Sequence, residues 1–442
     1  MVTDNTLAYI DQASFLGLRA LGHGPVIQYI WIYEHDVDLS ALRRFHRNLG
    51  RGLLGRRIER SPLPFGRHRW LAWPGPADLE LATVAVPRPQ VPHWLDEQAA
   101  LPIDPERGPS WRLAVQPLAE GGAAVSLVLS HTVADGVGGI VAVVAAANGI
   151  ETNLGYPAAG RSGKLAALLA DSRQLVRDVP AMVRAAVALS RLARVRRNDI
   201  SSSVRETRGT GGEPDRPVAL ATATAYVDTG QWDVRAAELG GTPTSMFIGL
   251  TARLGGRLGW VDGRGRVGVT VPVNERTDGD TRGNALTQVA MTVDPDQVCG
   301  DLRGVRADLK AALTTLGEAR HELLTPLPLV PLVPRAVARR LEGMVIRTGV
   351  IGSSNLGELD PAANRPDGTD AEFFAVRMSE NLTLADVRRT DGSFFPVVTG
   401  RVNGQIFISV GYTNAAGTTA RAELIQCVRD TLADFGLSGR VE

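Results

Sequence analysis

The stretch 123-AAVSLVLSHTVADGVGGIVAVVAAANG-149 joins two apolar runs through a short segment that contains His131 and the pair Asp135-Gly136. The first run, at 123–130, has the length and composition of a buried strand, and the second has those of a helix. The glycines of the joining segment permit a tight turn and the close approach of a substrate. The stretch therefore predicts a strand, a turn and a helix, with a histidine held at the end of the strand.

The spacing H-x-x-x-D-G has a chemical interpretation. A neutral imidazole at this position can accept a proton from an attacking hydroxyl or amine, which makes His131 a candidate general base. Asp135 is too close in the chain to be assumed a triad member, and it could instead anchor the loop through a distant arginine. A purely structural histidine is the alternative. A metal site is disfavoured, because no second histidine is nearby and Cys299 and Cys427 are remote.

Composition limits the classes of protein that fit this chain. Its 442 residues exceed one ordinary core, so we expect two domains. The net charge of +1 argues against nucleic acid as the main partner, because phosphate binding needs clustered positive charge. Two distant cysteines suit a reduced, cytoplasmic chain. Neither a signal peptide nor a membrane-spanning run is evident, so we expect a cytoplasmic protein without a transmembrane segment.

The predicted elements mix strands and helices in both halves of the chain. In the first half we expect strands at 26–34, 79–87 and 111–118, a helix at 38–54 capped by Asp38 or Ser40, and a loop at 61–76. In the second half we expect strands at 219–228, 266–273 and 286–294, helices at 243–260, 301–324, 335–345 and 419–435, and a hairpin at 394–413 that turns at Asn403-Gly404. The pattern is not strict strand–helix alternation, so the fold class is α+β rather than a doubly wound nucleotide fold.

The two halves are joined by an unusual segment. Residues 164–198 are helical by composition, interrupted at Pro180 and basic at their polar positions, and 199–217 have the composition of a mobile linker. We therefore divide the chain into an N-terminal lobe at 1–160, a crossover and linker at 161–217, and a C-terminal lobe at 218–442. The basic segment could be a solvated helix packed on the body, a surface for an acidic carrier protein, or an interfacial membrane contact.

Several motifs together resemble one known superfamily. The segment at His131 resembles the HHxxxDG motif of the chloramphenicol-acetyltransferase-like superfamily. That superfamily includes nonribosomal-peptide condensation domains, bacterial wax ester synthase/diacylglycerol acyltransferases and mycobacterial polyketide-associated acyltransferases. Four further segments resemble family segments in the same order, and the resemblance covers most of the chain: 10-IDQASF-15 (LDxxF), 109-PSWRLAV-115 (Pro-x-Trp-Arg), 271-VPVNERTDGDTRGN-284 (PVxxR…GN) and 351-IGSSNLGEL-359 (SN-x-G).

The resemblance implies a fold and a set of site residues. It implies two chloramphenicol-acetyltransferase-like lobes that form a V with an active-site tunnel between them. His131 would be the general base, Asp135 would be structural and pair with Arg276, and Gly136 would keep space at the channel. Asn284 would play a structural part, with Gly283 beside it. Ser353, Ser354 and Asn355 would line the substrate channel or hold the lobes together. Ser130 would also line the substrate channel.

The resemblance also implies an activity. The enzyme would transfer an acyl group from a thioester, on coenzyme A or on a phosphopantetheinyl carrier protein, to a hydroxyl or amine. The product would be an ester or amide of lipid or natural-product biosynthesis. No permanently bound cofactor and no acyl-enzyme are implied, because no serine or cysteine nucleophile has a base beside it by motif.

Two departures from the family pattern keep alternatives open. Ser130 stands where the motif has its first histidine, so a catalytically silent scaffold that recruits a carrier protein is a second hypothesis. A different reaction on a tethered substrate, such as dehydration, epimerisation or cyclisation, is a third. Glu275 is an unusual charge within its segment, and it could pair with Arg276 or Arg282 or contact a cationic substrate.

Overall fold

The computed structural model of the protein describes residues 4–158, 164–195, 216–218, 220–324, 326–333, 350–389, 394–413 and 420–442. The predicted helix at 335–345 and most of the predicted linker at 199–217 lie outside these residues. Helices and strands mix in both halves, as the sequence predicts. Among the described helices, none has the length and apolar composition that a membrane-spanning segment needs.

The elements of the first half follow the apolar pattern of the sequence. They are α1 (Tyr9–Leu21), β1 (Val26–Tyr33), α2 (Leu39–Leu49), β2 (Arg56–Glu59), β3 (Arg69–Ala72), β4 (Glu80–Leu81), α3 (Val91–Ala100), β5 (Trp111–Pro117), β6 (Ala123–Ser130), α4 (Gly136–Ala147) and α5 (Lys164–Val195). Asp38 caps α2 as predicted, since its carboxylate accepts from the backbone N–H groups of Ser40 and Ala41.

The elements of the second half include the strands of a second, larger sheet. They are β7 (Ala221–Asp228), α6 (Thr229–Glu238), α7 (Pro243–Arg257), β8 (Val267–Asn274), β9 (Leu286–Val293), α8 (Arg303–Leu324), β10 (Val350–Glu358), β11 (Phe373–Ser379), α9 (Leu384–Arg389), β12 (Pro396–Val402), β13 (Gln405–Tyr412), α10 (Arg421–Asp434) and β14 (Gly439–Val441). The predicted hairpin is confirmed, because Asn403 and Gly404 join β12 to β13 with φ values of 49° and 76°.

The first sheet explains why the motif strand is apolar along its whole length. Within the described residues its order is β11-β1-β6-β5-β4, so β6 lies in the middle. Along β1, Tyr29 and Trp31 pack in the core that α2 and α4 share, whereas Ile30 and Ile32 pack against α3. Both faces of the sheet are therefore covered, and every residue of β6 is buried.

The second sheet has the order β14-β7-β13-β12-β10-β8-β9 within the described residues. Helices α6, α7 and α10 pack on one of its faces. Its other face meets the first lobe, because Val398 and Phe407 belong to the same apolar core as Trp31. The two halves of the chain are therefore joined by a continuous core.

One strand crosses from the second half into the first sheet. β11 pairs antiparallel with the edge of β1, so the predicted lobe at 218–442 supplies one strand of the N-terminal sheet. On this strand the buried Arg377 donates to Gln28 Oε1 (2.6 Å) and Thr222 Oγ1 (2.9 Å), and it forms an ion pair with Asp96 (2.9 Å). A division at residue 217 therefore does not separate the two sheets.

Three predictions about elements were wrong in detail. The predicted loop at 61–76 contains β3, which pairs with β2. The predicted strand at 79–87 is reduced to the two residues of β4. Helix α5 runs through Pro180 without a break. The carbonyl of Val176 loses its usual backbone donor there, but Val176 is 71% exposed, so water can reach that carbonyl.

Candidate active site

His131 directly follows β6, and its backbone is fixed by a hydrogen bond from its N–H to the carbonyl of Pro25 (3.1 Å). The residue is partly exposed, so His131 is not sealed in the interior. Nδ1 of the ring lies 3.0 Å from Oδ1 of Asn284, a residue of the second half. Nε2 forms no hydrogen bond with the part of the chain that the structure describes.

The contacts of Asn284 assign the proton on the His131 ring. The amide nitrogen of Asn284 donates to the carbonyl of His131 (3.2 Å) and to Oδ1 of Asp11 (3.2 Å), so its oxygen must face the ring. Nδ1 of His131 is therefore the protonated nitrogen that donates to this oxygen. The lone pair of the neutral ring is left on Nε2, which is the arrangement that a general base needs.

Asp11 fixes the position of Asn284 from inside the first lobe. It lies in the first turn of α1 and is fully buried. Its carboxylate accepts from the backbone N–H groups of Gly283 (2.8 Å) and Asn284 (2.7 Å). Burial raises the pKa of Asp11, and the positive charge of Arg56 and these N–H donors oppose that rise. The carboxylate thus holds the Gly283-Asn284 pair against the loop at 131–135, which we call the motif loop.

Gly283 is needed because the two loops touch through their backbones. A Cβ atom at this position would lie 2.8 Å from the carbonyl oxygen of Thr132 and 3.0 Å from Oδ1 of Asp11. Neither atom can move without breaking the motif loop or the contact of Asp11 with Asn284. A side chain at 283 would therefore push Asn284 away from the histidine.

Asp135 and Arg276 form the buried ion pair that the resemblance implied. Oδ2 of Asp135 lies 3.0 Å from Nη2 of Arg276, and the two side chains are 3% and 6% exposed. The same oxygen accepts from the N–H of Ala285 (2.7 Å), and Oδ1 accepts from the N–H of Gly138 (2.6 Å) at the start of α4. One carboxylate therefore caps the helix after the motif and binds the second half of the chain.

Arg276 is held by carbonyl groups as well as by Asp135. Its Nη1 donates to the carbonyls of Asp280 (3.1 Å) and Arg282 (2.9 Å), and its Nη2 donates to that of Gly283 (3.0 Å). The guanidinium thus shapes the loop that carries Asn284. The ion pair and the Asn284–His131 contact are parts of one connection between the two halves.

Arg56 is a second buried cation at this connection. Its guanidinium donates to the carbonyls of Val133 (2.7 Å) and Thr281, one from each loop, and stacks 4.0 Å above the ring of Trp70. Burial lowers the pKa of Arg56, although the negative charge of Asp11 opposes this. The loop contacts keep the backbone beside His131 in a single arrangement.

Gly136 lies where the second sheet approaches the motif. A Cβ atom there would lie 2.9 Å from Cδ2 of Leu356, a β10 residue that packs against the first core. The resemblance implied that Gly136 keeps space at the channel. The space it keeps in the described structure is occupied by Leu356, which sequence reasoning missed.

Two of the predicted channel residues are buried and do not line an open route. Ser130 is 5% exposed, and its hydroxyl accepts from the N–H of Thr132 (3.3 Å) within the turn. Ser353 is fully buried, and its hydroxyl lies 3.4 Å from that of Thr251 on α7. Alternation along β10 points Ser353 into the helix-covered core, which is the physical reason for this correction.

The other two predicted channel residues are partly exposed. Ser354 points to the opposite face of β10 from Ser353. Asn355 donates to the hydroxyl of Thr244 (3.3 Å), and it lines a cleft of about 200 Å³ together with residues of α6 and α7, among them Trp232 and Phe247. The structure therefore places Asn355 beside α7 and does not bring it to His131.

The ion pairs predicted between Glu275 and Arg276 or Arg282 can be compared with the partners that these arginines have in the structure. Arg276 has Asp135 as its ion-pair partner, and Arg282 forms its ion pair with Asp280 (2.6 Å). Neither arginine therefore has Glu275 as its main ionic partner.

Within the described residues, no group of three or more His, Cys, Asp or Glu side chains is arranged to hold a metal ion.

Comparisons with known proteins agree with this architecture. No family model and no curated protein matches the sequence. The first condensation domain of the calcium-dependent antibiotic synthetase matches with a TM-score of 0.58 and 16% identity, over 98% of this chain and 96% of that one. Polyketide synthase associated protein 5 from Mycobacterium tuberculosis matches with a TM-score of 0.52 and 13% identity, over 97% of both chains.

A larger protein contains a similarly folded unit. The nonribosomal peptide synthetase FmoA3 matches with a TM-score of 0.53 and 18% identity, over 98% of this chain and 44% of that one. At these identities the likeness speaks for the fold. The chain therefore has the mixed α and β fold of these condensation domains, which is the fold that the resemblance of its motifs implied.

Proposed function

We propose that the protein is an acyltransferase of the condensation type, with His131 as its general base. The observation that carries this proposal is the contact between His131 Nδ1 and Asn284 Oδ1, because it leaves Nε2 unprotonated and without a hydrogen bond to the described residues. Asn284 and Asp11 are positioning residues in this scheme. The donor is an acyl thioester on coenzyme A or on a phosphopantetheinyl carrier protein, and the acceptor is a hydroxyl or amine.

The proposed reaction proceeds without an acyl-enzyme. The acceptor oxygen or nitrogen attacks the thioester carbonyl while its proton moves to Nε2 of His131. The tetrahedral intermediate collapses with cleavage of the carbon–sulfur bond, and the imidazolium returns the proton to the leaving thiolate. The products are an ester or amide and a free thiol. The Asn284 oxygen accepts from Nδ1, and the Asn284 amide in turn donates to Asp11, so the ring is held in one orientation as the proton moves.

The test is a panel of acyl thioesters incubated with alcohol and amine acceptors and analysed by mass spectrometry. We expect His131→Ala to lower turnover by about 100- to 10,000-fold, the usual contribution of a positioned proton transfer. His93→Ala is the matched control, because His93 is an exposed histidine of α3, and this variant should keep wild-type activity.

The result that overturns the proposal is also specific. The wild-type protein would form no product with any donor, while it binds a carrier protein saturably. The replacement of the first motif histidine by Ser130 makes this scaffold outcome worth including in the panel. Equal turnover by wild type and His131→Ala would refute the role of the histidine.

A further inference from the structure

The outward face of α5 carries an apolar band that the described residues of the protein leave uncovered. Successive helical residues are rotated by about 100°, and the exposed apolar side chains of α5 all fall within one sector of about 100°. They span roughly 30 Å along the helix axis, and the most exposed of them, Val176, is 71% accessible. The band consists of Leu168, Leu169, Val176, Val179, Val183 and Val187.

A row of arginines runs beside this apolar band. Arg173, Arg177 and Arg184 are exposed, and their positions fall in the adjoining sector of the helix. None of the three forms an ion pair with a residue that the structure describes. Arg184 only donates to the carbonyl of Pro180 (3.2 Å), one turn earlier.

The acidic side chains of the same helix point the other way. Asp171 and Asp178 are buried against the first lobe. Asp171 pairs with Arg69, and Asp178 accepts from the hydroxyl of Tyr9 (2.9 Å). The charges that face outward on the described part of α5 are therefore all positive, so the surface is complementary to an anionic partner.

The side-chain types of the band favour a lipid surface over a protein. Protein interfaces usually depend on a few Trp, Tyr and Arg anchors, and Leu and Val are under-represented among them. The exposed band is built from leucine and valine alone. An apolar band beside a basic row on one long helix is instead the pattern of a helix that lies in the membrane interface.

We propose that α5 docks the protein onto an anionic lipid surface. The helix lies parallel to the membrane plane, with the apolar band at the level of the acyl chains and the three arginines among the lipid phosphates. Such a surface would hold the enzyme where an apolar acyl group partitions. Binding itself needs no turnover, so this proposal can fail or stand independently of the proposed function.

The test is sedimentation of the full-length protein with vesicles. One set contains equal parts of phosphatidylglycerol and phosphatidylcholine, and the other contains phosphatidylcholine alone. We expect binding to the anionic vesicles that weakens with added salt. Replacing all three arginines (R173Q/R177Q/R184Q) should lower the partition coefficient by about 100-fold, at about fivefold for each charge.

The apolar band is tested by V176D/V183D, which should lower partitioning by about tenfold or more. Val234→Asp is the matched control, because Val234 is a similarly exposed valine (61%) on α6, away from the band. This control should bind as the wild type does. Circular dichroism of each variant checks that the helix content is unchanged.

Three outcomes would overturn the proposal. The wild-type protein could ignore anionic vesicles, or V234D could lose as much binding as V176D/V183D. In the third outcome, wild type ignores vesicles but binds an acidic carrier protein, and R173Q/R177Q/R184Q loses that binding. That result would assign the face to a protein partner.

Discussion

Replacing Asp135 by asparagine tests the buried ion pair with Arg276, which joins the two halves of the chain. The carboxylate of Asp135 has only donors around it: Arg276, Ala285 and Gly138. An asparagine of the same shape must turn its NH₂ group toward some of them. If the NH₂ group faces Arg276 and Ala285, the buried guanidinium loses its counter-charge; if it faces Gly138, the cap of α4 is lost and Arg276 is left with neutral acceptors only.

The expected size of the effect follows from burial. Leaving a buried charge without its partner costs about 3–5 kcal/mol, and losing a helix cap costs about 1 kcal/mol. Arg276 keeps three carbonyl acceptors, so we expect the lower end, about 3 kcal/mol. With about 2.1 cal/mol/K of unfolding entropy per residue over 442 residues, this lowers Tm by about 3 °C.

Urea unfolding of Asp135→Asn, followed by circular dichroism, measures the decrease in the free energy of unfolding. Asp301→Asn is the control, because Asp301 pairs with Arg303 on the surface and its replacement should cause no measurable change. The double variant D135N/R276M removes the buried charge as well, so it should lose less than the sum of its single variants. The predicted cost of breaking the ion pair is wrong if D135N is as stable as D301N. It is also wrong if D135N/R276M loses as much stability as the two single variants together.

Three further predictions concern the tautomer of His131, the packing around Gly139 and the pH dependence of stability that arises from His68. Asn284→Leu removes the acceptor that fixes the ring of His131, so we expect turnover to fall by about 100-fold or more and nitrogen NMR to show more of the Nε2-protonated tautomer; an unchanged tautomer would contradict this role. Gly139→Ala should destabilise the fold by about 1–3 kcal/mol, because the added Cβ would lie 2.0 Å from the buried hydroxyl of Tyr29. The control Gly317→Ala should be neutral or stabilising, because nothing lies within 4 Å of its Cβ. Similar urea midpoints for the two variants would contradict this prediction. Burial lowers the pKa of His68 from 6.5 to about 4. The unfolded chain therefore takes up a proton at this side chain before the folded one does, and stability should fall by about 3 kcal/mol as the pH drops from about 6.5 to about 4. His68→Asn should remove this contribution and leave the smaller one of His46, whose pKa is also lowered by burial; an unchanged slope in that variant would show that His68 does not cause it.

The sequence predicted well those elements whose pattern is set by local burial. Strand β6 and the turn after it were predicted because a sheet covered on both faces needs a continuous apolar run. The hairpin at Asn403-Gly404 was predicted because its dihedral angles require these residue types. By contrast, β11 and helices α1, α3 and α6 were not predicted. The position of β11 depends on pairing with a strand from the other half of the chain, which no local pattern shows.

The site could be predicted in its residues but only partly in its geometry. The resemblance pointed to Asp135 and Arg276, and the structure contains their ion pair. It also marked 10-IDQASF-15, but nothing in that segment shows that Asp11 reaches across to Asn284. Arg56 gave no signal at all, because one arginine among the chain's many basic residues is unremarkable until its burial is known. Side chains that act across two loops become visible only when the loops are placed.

The insertion of β11 has a consequence for how the protein is made. A ribosome releases β1, β5 and β6 early, but the strand that closes the edge of β1 emerges only after most of the remaining chain. Until then the nascent first lobe exposes an open row of backbone donors and acceptors, which is a known route to misassembly with neighbouring chains. Closure over so long a separation in sequence should be slow. It also means that a first fragment made by splitting the gene at the linker would lack the strand that pairs with the edge of β1.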